Sequence, residues 1–212
     1  MFVRPVSLAA SAVLLSGALM LSACGSGEGK AEGPAAEAEV AAPASASAAP
    51  EAPQAVPAVF DLSQVPISTA DLGAFPYVPV TSGYEVRDEK TMDLAAFPIW
   101  TGAGFQVVEG KVRMAESGTP EGKEYSRLEF ERGIENAIKA AGGVRIASGV
   151  APNELIDNLP ETLRNDMRLG LGPVYGSPFT AYVIRRPDRT IWVQVVSDSN
   201  RSAWTVVDAP NG

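Results

Sequence analysis

The sequence predicts an α+β domain: a mostly antiparallel sheet, one long amphipathic helix over about residues 126–141 packed on it, and a C-terminal three-strand meander. Three patterns predict it. Between Phe105 and Ser117, the residues Val108, Gly110, Val112 and Met114 alternate with Glu109, Lys111 and Arg113, the period of a half-buried strand. Ser126 and Glu129 have the S-x-x-E spacing of a helix capping box, and Phe130, Ile134, Ala137, Ile138 and Ala141 then share one face. Toward the C-terminus, three apolar runs are divided by the turn sequences Pro187-Asp188-Arg189 and Asp198-Ser199-Asn200-Arg201. Antiparallel strands with one helix on a face make a sandwich of two layers.

The elements follow in order. Asp61 to Pro79 carries Pro66, Pro76 and Pro79 and is expected to be an irregular lead-in with at most a turn of helix near Ser63 or Asp71. Tyr84–Arg87 and Asp93–Phe97 have the composition of two short strands. The Phe105–Ser117 strand ends in the Gly- and Pro-bearing loop 117–122. At the helix, Tyr125 before the cap and Phe130 after it have the spacing of a hydrophobic staple, and Gly142-Gly143 supplies the stop. Val144–Ser148 reads as a strand, and a weaker helix is expected from Pro160 to about Arg168, proline being harmless at a helix start. Phe179–Arg186, Thr190–Ser197 and Ser202–Asp208 form the meander, in which Ile191, Val193 and Val195 alternate with Trp192, Gln194 and Val196. Residues 59–212 make one domain, and a unit of about 150 residues buries ~70% of its unfolded surface.

Composition narrows the function. The 212 residues hold 17 Lys+Arg against 25 Asp+Glu, a net charge of −8, one Cys and no His. Without an imidazole, Ser-His-Asp and Cys-His mechanisms are excluded. A single Cys excludes disulfides within the chain and Cys-based zinc sites. The acidic balance argues against nucleic acid, which calls for a basic footprint.

Ahead of the domain, residues 1–23 read as an export signal: Arg4 is the only charge before Glu28, and Leu8–Leu21 is apolar, too short and wrongly flanked for a spanning helix. Residues 24–58 read as an anchor and a tether. From Gly25 to Ala58 the composition is Ala, Pro, Gly, Ser and Glu without an aromatic, too little apolar area to offset the entropy of ordering. Such a tether spans roughly 30 Å as a coil and ~100 Å drawn out as polyproline II. It is either a ruler between membrane and partner or a plain solvated spacer.

The tetrapeptide Leu21-Ser22-Ala23-Cys24 resembles the lipobox of bacterial lipoproteins. That resemblance implies a diacylglycerol on the Cys24 thiol, cleavage before Cys24 and acylation of the new amino group. Gly25, rather than Asp, follows the cysteine, which by the same resemblance implies carriage to the outer membrane. An unmodified thiol in an oxidising compartment would be unusual. The strings Phe75-Pro76-Tyr77, Gly83–Val86, Phe97–Gly102, Val108–Val112, Leu128–Arg132, Ala141–Gly143, Ile184–Asp188 and Ile191–Val195 together resemble an uncharacterised domain that lies N-terminal to the peptidoglycan-binding domain of some OmpA-like envelope proteins. These are packing and turn motifs. The sequence stops at Gly212 without the Asp/Arg pair that grips peptidoglycan in those proteins, so binding by that route is not expected.

Candidate chemistry is sparse. Glu154, Asp157, Glu161 and Asp166 cluster around the weaker helix; two of them across a cleft would suit a glycosidase, and a solvated helix start explains them equally. Gly25–Gly29 and Gly170–Pro173 lack the Lys-Ser/Thr of a phosphate loop. Ser177 stands before Pro178 outside any nucleophile elbow. Arg185, Arg186 and Arg189 concentrate positive charge at one turn and are candidate contacts to an anionic lipid, an acidic partner or a glycan, or else a polar hairpin tip. Trp100, Trp192 and Trp204 are core residues or a sugar-stacking face. The expectation is a non-enzymatic outer-membrane lipoprotein without a cofactor or metal, held to the membrane by its lipid and displaying a periplasmic binding or scaffold domain for an envelope protein or glycan. The alternatives are a carrier of a small apolar ligand held between sheet and helix, and a carboxylate-based envelope hydrolase.

Overall fold

The structure is a computed structural model that describes residues 60–211; the signal, the Cys24 anchor, the tether and the Gly25–Gly29 stretch lie outside the described residues. A short 3-10 turn, Leu62–Gln64, opens the chain. The strands are β1 (Glu85–Trp100), β2 (Phe105–Gly118), β3 (Val144–Val150), β4 (Pro178–Arg185), β5 (Arg189–Ser197) and β6 (Ser202–Pro210). The helices are α1 (Arg127–Ala140), α2 (Asn153–Asp157), α3 (Glu161–Asp166) and α4 (Arg168–Leu171). All six strands form one antiparallel sheet in the order β1-β2-β6-β5-β4-β3, and with the helices they make a mixed α+β fold. The helical residues are divided among α1, of 14 residues, and three shorter helices rather than gathered into one long helix.

Three expectations are corrected. The two short strands expected within 84–97 are one strand of 16 residues, β1, whose register shifts between Val86 and Asp88 and again between Met92 and Ala95. Each bulge breaks the alternation that marks a continuous strand in the sequence. The helix expected from Pro160 to about Arg168 ends at Asp166, where Met167 leaves helical geometry before α4 begins, and α2 ahead of it was not foreseen. The sandwich has three layers, not two, because both faces of the sheet are covered. Every residue of β5 after Arg189 is buried for that reason.

One face carries α1. Phe130, Ile134 and Ile138 are fully buried against Tyr182, Ile184, Val193, Trp204 and Val206. Burying each such side chain contributes roughly 1.5–3 kcal/mol relative to exposure. At the helix start the Ser126 hydroxyl accepts from the Glu129 N–H at 3.3 Å. The return half of the capping box passes through a third residue: the Ser126 N–H donates to Tyr84 Oη at 3.1 Å, and the Tyr84 hydroxyl lies 3.0 Å from Glu129 Oε2. Tyr84 also takes the staple's place, its ring 5.9 Å from Tyr125 and 5.3 Å from Phe130. Gly133 lets the lead-in lie against the helix: a Cβ there would collide with Thr81, whose hydroxyl donates to the Phe130 carbonyl at 2.7 Å.

The other face carries the second core. Phe97, Ile99, Val112, Met114, Phe179, Trp192, Val196 and Val207 meet Ile156, Met167 and Leu171 from α2 to α4. The β1–β2 hairpin builds part of this cover. β2 pairs with β6 only from Lys111 to Glu116, so the free end of the hairpin overhangs the sheet. There Trp100 packs with Phe105 and Phe179, ring centroids 5.3 and 6.2 Å away, and its backbone N–H donates to the buried Gln194 side chain at 2.6 Å. Beside the hairpin, α4 comes so close to β6 and β2 that a Cβ on Gly170 would strike Thr205 and Met114. The opening stretch of β1, Glu85–Thr91, is exposed along the sheet's outer edge and rich in charge, as lone edges tend to be.

Candidate functional site

Two places bear on function. The first is the β4–β5 turn, where the structure brings Arg185, Arg186 and Arg189 together and turns their donors toward the chain itself. Arg185 Nη1 donates to the Val65 carbonyl at 3.1 Å, while the Ser68 N–H donates to the Arg185 carbonyl at 2.8 Å. Arg186 Nη1 donates to the Ala70 carbonyl. Arg189 pairs with Asp188 at 2.9 Å and with Asp208 at 3.1 Å, and Tyr77 Oη donates to the same Asp208 oxygen at 2.7 Å. The Arg189 hydrogen bond holds the Asp188 carboxyl below its ordinary value. Burial, and then the bond to Asp208, push the Tyr77 phenol up. Asn211 closes the assembly, its amide donating to the carbonyls of Arg186 and Pro187 at 3.1 Å. The three arginines clasp the lead-in and the last strand onto one turn.

The second place is a groove built by α2, α3, α4 and residues 172–175, enclosing about 630 Å³. Proline and glycine make it. Pro152 and Pro160 stand just ahead of α2 and α3, Pro160 keeping the two from joining, and Gly172, at φ +57°, ends α4 and sends Pro173, Val174 and Tyr175 back across it. The wall is mostly apolar, from Ile156, Leu171, Pro173 and Val174, with Glu161, Arg164, Arg168 and Tyr175 adding polar groups. The Tyr175 hydroxyl donates to Asp157 Oδ1 at 2.7 Å, and Arg164 Nη1 stands 3.4 Å from that hydroxyl and 3.5 Å from Asp157. The Asp157 bond, more than burial, raises the Tyr175 phenol above its ordinary value. Arg164 Nε is buried without a hydrogen-bond partner, and among the described residues no carboxylate pairs with Arg168.

The other sequence candidates fall as follows. Of the four carboxylates, Asp157 joins the Tyr175–Arg164 cluster and Glu161 lines the groove, while Glu154 and Asp166 are exposed at the first turn of α2 and the end of α3. Trp100, Trp192 and Trp204 are at most 3% exposed, so they are core and not a stacking face. Ser177 is buried where the chain enters β4. The space between α1 and the sheet, where a carrier's ligand was expected, is filled by Phe130, Ile134 and Ile138; the open volume lies on the opposite face. Sequence reasoning missed Arg164, Arg168 and Tyr175. The signal available was the set of breakers Pro152, Pro160 and Gly172-Pro173, which divides the apolar residues from Leu155 to Leu171 among short pieces.

Among the described residues, no group of three His, Cys, Asp or Glu side chains is placed to hold a metal ion. No described helix is long and apolar enough to cross a membrane. Compared with known proteins, the chain matches no family, no curated protein and no solved structure.

Proposed function

We propose that this chain is a lipoprotein of the bacterial outer membrane, anchored through Cys24, that displays residues 60–211 in the periplasm as a non-catalytic binding module. The observation that carries the reading is Leu21-Ser22-Ala23-Cys24, which follows the apolar Leu8–Leu21 stretch and uses the sole cysteine of the chain. Two or more acyl chains at that sulfur and amino group suffice for stable anchoring, each buried CH₂ contributing roughly 0.8 kcal/mol. The chain has no histidine to act as a base, and its folded part offers a mostly apolar groove with a few convergent polar groups, the usual form of a binding site. The strings shared with the domain of OmpA-like envelope proteins support an envelope role and an envelope protein or glycan as partner.

The test is a Cys24→Ser variant expressed beside the native chain, with membrane fractionation and intact mass. The native chain should sediment with outer membranes at a mass showing loss of residues 1–23 and gain of acyl groups. A variant that fractionates and processes like the native chain sinks the anchor.

A further inference from the structure

We infer that the groove between α2, α4 and the Gly172–Tyr175 turn binds a small amphiphilic anion, an apolar body ending in one carboxylate or phosphate head, gripped by Arg164 and Arg168. This rests on the reading of the domain as a binding module and is independent of the lipid anchor.

Three observations converge on that ligand. The first is size and lining: about 630 Å³ walled mainly by Ile156, Leu171, Pro173 and Val174 suits a drug-sized molecule with an apolar body. The second is an unspent donor. The Arg164 guanidinium carries five N–H groups in a fixed fork. Its Nη1 leans on Tyr175 and Asp157 at 3.4 and 3.5 Å, too long for strong bonds, while its Nε is buried with no acceptor. A buried donor left unpaired costs free energy, and an oxyanion in the groove would remove that cost. The third is local charge. On a chain of net charge −8, the groove lining holds two arginines against the single Glu161. Asp157 neutralises part of Arg164, while among the described residues no carboxylate is paired with Arg168. Guanidinium suits both carboxylate and phosphate, because its fork matches two oxygens at once. Tyr175, half exposed, lines the groove with its proton committed to Asp157.

The experiment is equilibrium dialysis of the full chain, in nanodiscs where it is acylated and in buffer where it is not, against octanoate, octyl phosphate, octanol and octyltrimethylammonium. Protein-free discs are the blank. Octanoate or octyl phosphate should be retained saturably, and at least tenfold more tightly than octanol or the cation, since a charge-assisted hydrogen bond is worth about one decade or more in affinity. Whichever of the two anions is held better identifies the head group. Arg168→Gln, an exposed position, should lower anion retention about tenfold and leave octanol unchanged, and Arg164→Gln should do the same. Equal retention of octanol and octanoate, no saturable retention of either anion, or an Arg168→Gln protein that binds as the native one does would overturn the inference. The mass of Cys24 is read on the same preparation, so a missing anchor and an empty groove give different results.

Discussion

The backbone N–H of Trp100 donates to the side-chain oxygen of Gln194 at 2.6 Å, a buried bond between residues 94 positions apart. It joins the overhanging tip of the β1–β2 hairpin to the middle of β5, and the Gln194 amide returns toward the Pro98 carbonyl at 3.4 Å. A fully buried glutamine in a central strand is tolerated because the hairpin backbone gives it both a donor and an acceptor. Gln194→Leu keeps the volume and strands the Trp100 N–H. The expected loss is about 1–3 kcal/mol in urea unfolding, with the hairpin tip exchanging its amide hydrogens before the rest of the sheet. A variant as stable as the native chain would show that the tip is held by its aromatic contacts alone.

Gly133→Ala in α1 would ordinarily stabilise a helix by about 1 kcal/mol. Here the added methyl meets Thr81, so the variant should instead lose about 1–3 kcal/mol by overpacking. Thr81→Ala removes the obstructing atoms along with the bond to the Phe130 carbonyl, and the double variant should recover part of the loss in thermal unfolding.

Phe130→Ala removes a ring in contact distance of both Tyr84 and Trp204, with centroids 5.3 and 5.6 Å away. A loss of about 3–5 kcal/mol is expected by chemical denaturation, enough to unfold a domain of ordinary stability near its working temperature.

The clasp at the β4–β5 turn predicts that charge reversal there is first a stability change. Arg189→Glu places a carboxylate against Asp188 and Asp208 and removes the cation that both use, and about 1 kcal/mol should be lost, chiefly at the less exposed Asp208. Tyr77→Phe takes away the second donor to Asp208 and should cost about 1 kcal/mol. If Arg189→Glu melts with the native chain while weakening capture of an envelope partner, the turn serves recognition more than the fold.

Alkaline pH should unfold the domain early. Burial pushes the Tyr182 phenol from its ordinary 10.0 up to about 12, and raises Tyr84 and Tyr125 in the same direction. The unfolded chain then releases these protons near pH 10 while the folded chain keeps them. Stability is therefore complete below pH 10 and falls as pH rises from 10 toward 12. Tyr182→Phe should flatten that decline when unfolding is followed against pH. The acid limb has the opposite sign. Glu129, bonded to Lys123 and Tyr84, and Glu135, bonded to Lys139, lie below their ordinary value, so their stabilisation is present above about pH 4.5 and disappears as they protonate.

What could be read in the sequence was local. The alternation from Val108 to Met114, the Ser126 cap and the turns of the β4–β6 meander each rest on residues a few positions apart, and short-range sterics settle them. β1 was harder, since its two bulges reset the period inside a continuous strand. The second covered face was hidden for a different reason. Trp192, Gln194 and Val196 have the spacing of an outward face, and only the distant hairpin and α2–α4 turn that face into an interior. The groove was illegible because Arg164, Arg168 and Tyr175 meet through three short helices whose packing no local pattern encodes.

The clasp also sets a direction. Val65, Ser68 and Asn211 all meet the turn at the far end of β4, whereas Gly172–Tyr175 lie just before its first residue. A strand of that length puts roughly 25 Å between the two. The clasp and the Gly172–Tyr175 side of the groove thus lie at opposite ends of one strand, so a ligand seated in the groove and a partner seated on the clasp would leave each other's contacts untouched.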